Sequence, residues 1–399
     1  MKILMLATNY EAPVGGGGQK SLRTLVDALA GLGHEVVVAA LAHGEPGCRI
    51  VNGVRVHYLP VRNVFRPVDS VQPSLAARLL YHSVDMYNPW SEVDVKRICG
   101  EEKPDVVHTH VITGLSVSIW KAVRSLGIPL VHTLRDQYLL CPRSTLFRNG
   151  KQCVARCTDC RVLRTLHPRV SNLVGGVIGI SKFMLSGHLE RGYFSKAEVK
   201  AVIYNARDRN ALGVGAGTGR EHVGEKVRFG YIGSITPSKG VALLLDAFSA
   251  LQIAGAELWV AGTGNGSYDA HLKKEYASDS IRFLGRVAQK DFFPNVDVVV
   301  VPSLWDEPLG MVVAEAFAFG KPVIGSRRGG IVEMIEDGKD GLVFEPEQAG
   351  ALSAALSRMG SKATIQEMSL NARKSGERFL DIQHYASRHL DVYDAVIAY

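Results

Sequence analysis

The 399-residue sequence predicts an α/β fold built as two doubly wound halves. Three observations carry that expectation. An apolar strand, a glycine-rich loop and an amphipathic helix open the chain, and a similar order of strand, loop and helix returns near residue 227. Short apolar runs alternate with helical patterns in both halves, as in a parallel sheet covered on both faces. Between the halves, residues 206–226 become small and glycine-rich, as a flexible linker would.

Lys2 to Ala7 reads as the first buried strand, and Val14-Gly15-Gly16-Gly17-Gly18-Gln19 as the loop after it. Leu22, Leu25, Val26, Leu29 and Ala30 share one helical face from Ser21 to Leu32, and Gly33 is placed to cap it. Glu35 to Ala40 is the next strand. This unit is a Rossmann-like opening. Strands are expected at 105–108, 129–133, 174–180 and 199–204, with a helix over 115–126. The second half opens with a strand at 227–233, a loop at 234–240 and a helix through Leu251. Its further strands are expected at 256–261, 281–284, 297–301 and 322–325.

Composition sets the class. Hydrophobic residues are 46% and charged residues 21%, an ordinary globular mix. The net charge of +7 favours anionic partners such as nucleotide phosphates or an acidic membrane surface. No apolar run approaches the ~20 residues of a membrane span, and the apolar start reaches Thr8-Asn9-Tyr10 too soon for a leader peptide. A cytoplasmic chain is expected, with peripheral contact at the inner face of a membrane open to it.

The segment richest in chemistry runs from Val298 to Phe344. A buried strand ends at Pro302-Ser303, a loop carries Glu307, and a helix is expected from near Leu309. Its N-terminus would lie at the carboxyl end of the strands, where open sheets bind ligands and free N–H groups favour an anion. Gly310 lets a ligand approach the backbone. Glu307 and Glu315 together suit a polyhydroxylated ligand that also carries phosphate. By spacing alone the pair also suits an ordinary surface helix.

Glu307-x7-Glu315, with Pro302-Ser303 before it and Gly320-x-Pro322-Val323-Ile324 after it, resembles glycosyltransferase family 4. Gly329-Gly330-x-x-Glu333-x-Ile335-x-x-Gly338-x-x-Gly341-Leu342 continues the likeness, which covers nearly the whole chain. The resemblance implies a GT-B fold, two Rossmann-like domains facing each other across a cleft. It also implies retaining transfer of a sugar from a UDP-, GDP- or ADP-sugar donor. Glu307 would then contact the donor sugar's hydroxyls and Glu315 the ribose. The backbone at Leu309, Gly310 and Met311, with Val312 beside it, would face the sugar and distal phosphate.

The remaining loops follow the same likeness. Gly233-Ser234-Ile235-Thr236-Pro237-Ser238-Lys239-Gly240 places Lys239 where a cation can neutralise a leaving diphosphate. Relatives usually carry an arginine at the position of Ser234, so Lys239 acts alone or another cation, Arg286, Arg327 or Arg328, replaces it. Gly16 and Gly17 resemble the donor-facing loop. Gly262-x-Gly264 and Gly285-Arg286-Val287 resemble turns that line the donor site and cup the base. Each of these also fits a plain structural turn. The departing diphosphate is expected to take the acceptor's proton, and no catalytic metal is expected.

In the first half, Asp105-Val106-Val107-His108-Thr109-His110 fits the family. The two histidines are expected on opposite faces, one toward the cleft and one in the core. Arg135 stands where many relatives carry a cleft histidine. It remains protonated, so it is read as an anion-binding group rather than a general base. His110, Arg135 and Asp136 form the expected acceptor side. Ser181 and Asn205 also match the family, and both suit structural roles.

Cys141, Cys153, Cys157 and Cys160 lie within twenty residues. Four thiolates at that density suit a structural zinc site pinning a polar loop. Free thiols and an iron–sulfur cluster are the alternatives. Residues 143–169 also carry seven Lys or Arg and one acid, suited to anionic headgroups or a lipid-diphosphate acceptor. No nucleic-acid motif accompanies the charge.

The expected domains are 1–207 on the acceptor side, with the helix 381–399 packing back on it, and 208–380 for the donor. The acceptor is a saccharide or lipid-linked sugar in bacterial cell-surface polysaccharide or glycoconjugate assembly. A sugar-nucleotide epimerase, a phosphorylase or a non-catalytic sugar-nucleotide binder would use the same fold.

Overall fold

The computed structural model describes residues 1–11, 16–66, 73–215, 226–251, 255–264 and 266–399. It divides into two compact units. The first holds Met1–Leu146, Cys153–Tyr204 and Ile382–Tyr399, and the second holds Phe147–Gln152 and Asn205–Asp381.

The chain-ordered strands up to residue 204 are β1 (Lys2–Ala7), β2 (Glu35–Leu41), β3 (Gly47–Val51), β4 (Val54–Leu59), β5 (Val106–Thr109), β6 (Leu130–Leu134), β7 (Phe147–Arg148), β8 (Lys151–Gln152), β9 (Gly176–Gly179) and β10 (Val199–Val202). All but β7 and β8 form one eight-stranded sheet in the order β10-β9-β6-β5-β1-β2-β4-β3. Every pairing is parallel except β3 with β4. The central strands are apolar along their length because helices cover both faces. Helix Gly17–Gly31 buries Leu22, Leu25, Val26 and Leu29 of the face read from the sequence, while Ala30 is exposed. Helix Ile382–Ala398 packs on that helix and on β6, β9 and β10, burying Tyr385, His389, Val392, Tyr393 and Val396.

The second unit's strands are β11 (Arg228–Ile232), β12 (Glu257–Ala261), β13 (Ile281–Gly285), β14 (Val298–Val301), β15 (Val323–Ser326) and β16 (Gly341–Phe344). Their order is β13-β12-β11-β14-β15-β16, all parallel. The winding reverses between β11 and β14, the position at which open parallel sheets bind ligands at the carboxyl ends of their strands. The equivalent reversal in the first unit lies between β1 and β5.

The hairpin β7–β8 counts with the second unit, although the expected first half ran through 1–207. Gln152 Oε1 accepts from the Asp306 backbone N–H at 2.9 Å, within the second unit. Among the described residues, no helix is long and apolar enough to cross a membrane.

The four-cysteine zinc site does not assemble. Among the described residues, no group of three or more His, Cys, Asp or Glu side chains is arranged to hold a metal. Cys157 and Cys160 come together at 3.6 Å between sulfurs, at the start of helix Thr158–Leu163. Cys141 and Cys160 are buried, and burial pushes the Cys160 thiol up to about 12, with the neighbouring Cys141 adding to it. Clustering along the chain brought thiols near one another without the tetrahedral convergence that zinc needs.

Candidate functional site

In the second unit the reversal point is flanked by the loops after β11 and β14. Lys239 ends a short turn after β11, and Gly240 follows it with φ +68. A Cβ at Gly240 would run into the Pro302 carbonyl oxygen, so glycine is required where the two loops touch. Leu304 N–H donates to Ser238 O at 2.8 Å and locks the contact.

That apposition brings Lys239 Nζ to Glu307 Oε1 at 2.6 Å. Ser303 Oγ donates to the same oxygen at 2.7 Å, and Lys239 Nζ lies 5.3 Å from the centre of the Trp305 ring. Glu307 is buried and Lys239 partly exposed. The site therefore holds a fixed carboxylate and a mobile-stemmed cation in contact. A ligand carrying hydroxyls and phosphate can divide them, hydroxyls to Glu307 and phosphate to Lys239.

The Glu307 loop is pinned from behind. Gly330 N–H donates to Glu307 O at 2.8 Å, and Gly329, at φ +50, lies where a Cβ would strike that carbonyl. Gly310 adopts φ +89 and opens helix Met311–Ala318. Leu309 is buried, while Gly310, Met311 and Val312 are partly exposed at the helix's first turn, whose N–H groups lack intrahelical partners. Glu315 is buried about one turn along. Arg207 Nε donates to Glu315 Oε1 at 2.9 Å, and both side chains are nearly enclosed.

The other positions expected on the donor side lie in the turns after β11, β12 and β13. Gly233 N–H donates to Ala261 O at 3.0 Å and Gly262 N–H to Gly285 O at 2.6 Å. Gly264 N–H donates to Asp269 at 2.9 Å. Ser234 is exposed, and its carbonyl accepts from Tyr231 OH at 2.7 Å. Arg286 is exposed beside the half-buried Val287, and its Nε donates to Thr263 Oγ1 at 3.3 Å. Of the three replacement cations, Arg327 pairs with Glu345 and Arg328 with Glu347, which leaves Arg286 facing the turn that holds Gly262 and Gly264.

In the first unit Gly16 caps helix Gly17–Gly31, with its N–H donating to Gln19 Oε1 at 3.1 Å. Val14 and Gly15 of that loop lie outside the described residues. Among the described residues, a Cβ at Gly16 would meet nothing within 4 Å. An open groove of about 710 Å³ lies at the carboxyl ends of β1, β2 and β4, lined by Glu11, Arg23, His43, Glu45, Arg49 and Tyr58 among others.

His108 and His110 do not take opposite faces. Positions two apart on a strand share a face, and their rings lie 4.0 Å apart, both buried. His108 bonds Tyr393 OH and Thr133 Oγ1, each at 2.7 Å. Arg135 Nε donates to His110 Nδ1 at 3.1 Å, so that nitrogen carries no proton. Burial holds both imidazoles well below their ordinary range. Asp136 accepts from Tyr138 N–H at 2.9 Å, and burial pushes its carboxyl up to about 6. Ser181 caps helix Lys182–Leu189 by accepting from Met184 N–H at 3.1 Å, and Asn205 is buried.

Sequence reasoning missed Arg207, Trp305 and Gln152. Arg207 lies 108 residues from Glu315 and Gln152 154 from Asp306, so no local pattern could pair them.

Comparison with known proteins gives the family and the fold. The model of the family described as "Glycosyl transferase 4-like domain" matches residues 16–206, and that of "Glycosyl transferases group 1" matches 226–361. An uncharacterized 42.6 kDa protein in the cps region of Klebsiella pneumoniae is 30% identical over 337 residues, 84% of this chain and 87% of the relative. Sucrose-phosphate synthase from Thermosynechococcus elongatus is 19% identical and superposes with a TM-score of 0.76, covering 100% of this chain and 99% of the other. HepE of Anabaena, solved in complex with UDP-glucose, is 19% identical with a TM-score of 0.70, covering 99% and 100%.

Proposed function

We infer that this chain, which belongs to the GT-B glycosyltransferase family, is a family 4 enzyme. Its reaction moves a sugar, with retention, from a nucleotide-diphosphate donor to a saccharide or lipid-linked acceptor. The observation that carries the reading is the Lys239–Glu307 contact at the reversal of the second sheet. Glu307, fixed by Ser303, holds the donor sugar's hydroxyls. Lys239 turns to the diphosphate and offsets the charge that develops as it leaves. The first turn of helix Met311–Ala318 offers N–H groups to the distal phosphate. Glu315, oriented by Arg207, meets the ribose, and Gly285-Arg286-Val287 meets the base. The diphosphate itself takes the proton of the attacking hydroxyl.

The acceptor is met by the first unit, through Arg135, His110, Asp136 and the groove lined by Glu11, Arg23 and Tyr58. His110 and the neighbouring buried imidazoles are neutral at pH 7, so Arg135 and Asp136 supply the polarity there. A uridine diphosphate sugar is the first donor to try, because a relative of the same fold was solved with UDP-glucose. The similar protein from a cps region supports cell-surface polysaccharide assembly. A lipid-linked acceptor would draw the protein to the inner face of a membrane.

Thermal unfolding with UDP-, GDP- and ADP-sugars tests the donor site. A ligand at about 100 times its Kd adds about 2.7 kcal/mol of stability. One donor should stabilise selectively, and Glu307→Ala should weaken that effect. In transfer assays Lys239→Ala should lower kcat by roughly 100- to 1,000-fold. Donor binding without transfer to any acceptor would instead favour the non-catalytic binder, and an epimerised or phosphorolysed product would name the other enzymes. No shift with any sugar nucleotide would overturn the reading.

A further inference from the structure

Helix Leu75–Met86 lies on the first unit with its apolar side outward. Leu75, Leu79 and Leu80 are 72%, 58% and 56% exposed. Its buried residues are Tyr81 and Asp85. Asp85 is held by Arg164 at 3.4 Å and accepts from Gly114 N–H at 2.8 Å, so a charged side chain anchors the helix inward. A surface helix ordinarily turns its apolar stripe to the core. Scattered exposed leucines are common, but three on one helix with the carboxylate beneath invert the pattern.

The surroundings extend the face. Asn63 donates to Tyr81 O at 3.2 Å and the Phe65 ring stacks on Tyr81 at 4.5 Å, which brings the neighbouring Val64, 44% exposed, beside the helix. Helix Thr158–Leu163 packs against it and exposes Arg161 and Val162, the latter by 60%. Arg78 is exposed on the helix itself. The charges that bear on His82 there are those of Arg164, Arg78 and Arg143, against Asp159 alone.

We propose that this face seats the protein on an anionic lipid surface. Leu75, Leu79 and Leu80 enter the boundary between headgroups and acyl chains, and Arg78, Arg143 and Arg161 meet lipid phosphates. Charge complementarity selects this occupant. On and beside the helix, exposed Arg78, Arg143 and Arg161 stand against Asp159, a balance that favours a polyanion. A second copy meeting the same patch across a two-fold axis would set these arginines against their own images. The inference deepens the lipid-linked acceptor reading and rests on it for its purpose. Vesicle binding is read without donor or acceptor, so either can fail alone.

The test is co-sedimentation of the full chain with phosphatidylcholine vesicles and with vesicles holding about one-third phosphatidylglycerol. Binding should favour the anionic vesicles at least about tenfold and fall between about 0.1 M and about 1 M salt. Leu79→Ser/Leu80→Ser should lose at least about tenfold. Arg78→Ser/Arg161→Ser should lose the anionic preference. Both should keep the wild-type unfolding midpoint, since the substituted side chains are exposed. Absence of wild-type binding to anionic vesicles at low salt overturns the proposal. So does equal binding by both variants, or a wild-type dimer that the leucine variant converts to monomer.

Discussion

The two units wind their strands alike, each reversing beside its first strand, but they fill the strand ends with opposite chemistry. The first unit gathers neutral imidazoles and hydroxyls around one cation, Arg135. His108 is held by Tyr393 and Thr133, and His132 by Thr109. The second unit uses ion pairs, Lys239 with Glu307 and Arg207 with Glu315. Eleven of the thirteen histidines belong to the first unit. Of the other two, His271 is exposed and His222 lies outside the described residues. A buried imidazole avoids the cost of charge by staying neutral, whereas a buried carboxylate keeps its charge only with a cation beside it. The units should therefore respond differently to acid and to loss of a partner.

Acid gives the largest contrast. Burial lowers His108, His110, His132, His167, His188 and His389, with His132 and His389 at about 3 and His188 at about 4. A base whose folded pKa is depressed binds more protons unfolded. Stability is then complete above about 6.5 and falls as pH drops toward the folded values. Each such histidine removes about 1.4 kcal/mol per pH unit in that window. The second unit's Glu257 is also lowered, although burial opposes it, by hydrogen bonding and attraction from Arg228, but it loses stability only below the ordinary carboxylate range. Hydrogen exchange followed segment by segment at pH 7 and pH 5 should show the first unit losing protection first. Equal losses in both units would break the comparison.

At the strand ends, loss of a partner should strike the second unit. Arg207→Met leaves the buried Glu315 carboxylate without its cation, at a cost of about 3–5 kcal/mol. Urea unfolding should record that fall, and adding Glu315→Gln should recover most of it. Donor affinity should drop in both variants if Glu315 meets the ribose. A single variant as stable as wild type would show that the pair contributes no net stability.

Legibility followed distance along the chain. The loops carrying Lys239 and Glu307 could be read because each follows an apolar strand of recognisable length, yet their contact at 2.6 Å spans 68 residues and leaves no local trace. Arg207 was hidden in a stretch that reads as linker. The β3–β4 hairpin had a signal that went unused: Asn52-Gly53, both at positive φ, is a strong two-residue turn. The shared face of His108 and His110 also followed from strand period alone. Helix Leu75–Met86 was opaque for a different reason. Periodicity finds an apolar stripe but does not say whether that stripe faces the core.

The smallest expected effect sharpens the boundary between the units. The β7–β8 hairpin interrupts the first unit's sequence, yet its Gln152 accepts from the backbone of Asp306, the residue before Glu307. Removing that acceptor in Gln152→Ala forfeits one hydrogen bond, worth about 1 kcal/mol, on the loop that carries Glu307. The donor KM should rise roughly fivefold with kcat little changed, because the loop loosens before chemistry begins. Gln152→Glu keeps a side-chain oxygen at the same reach and should restore KM. Steady-state kinetics against varied donor decide the matter. An unchanged KM in Gln152→Ala would make the hairpin a packing element. A fall in kcat alone would mean that it acts after the donor is bound.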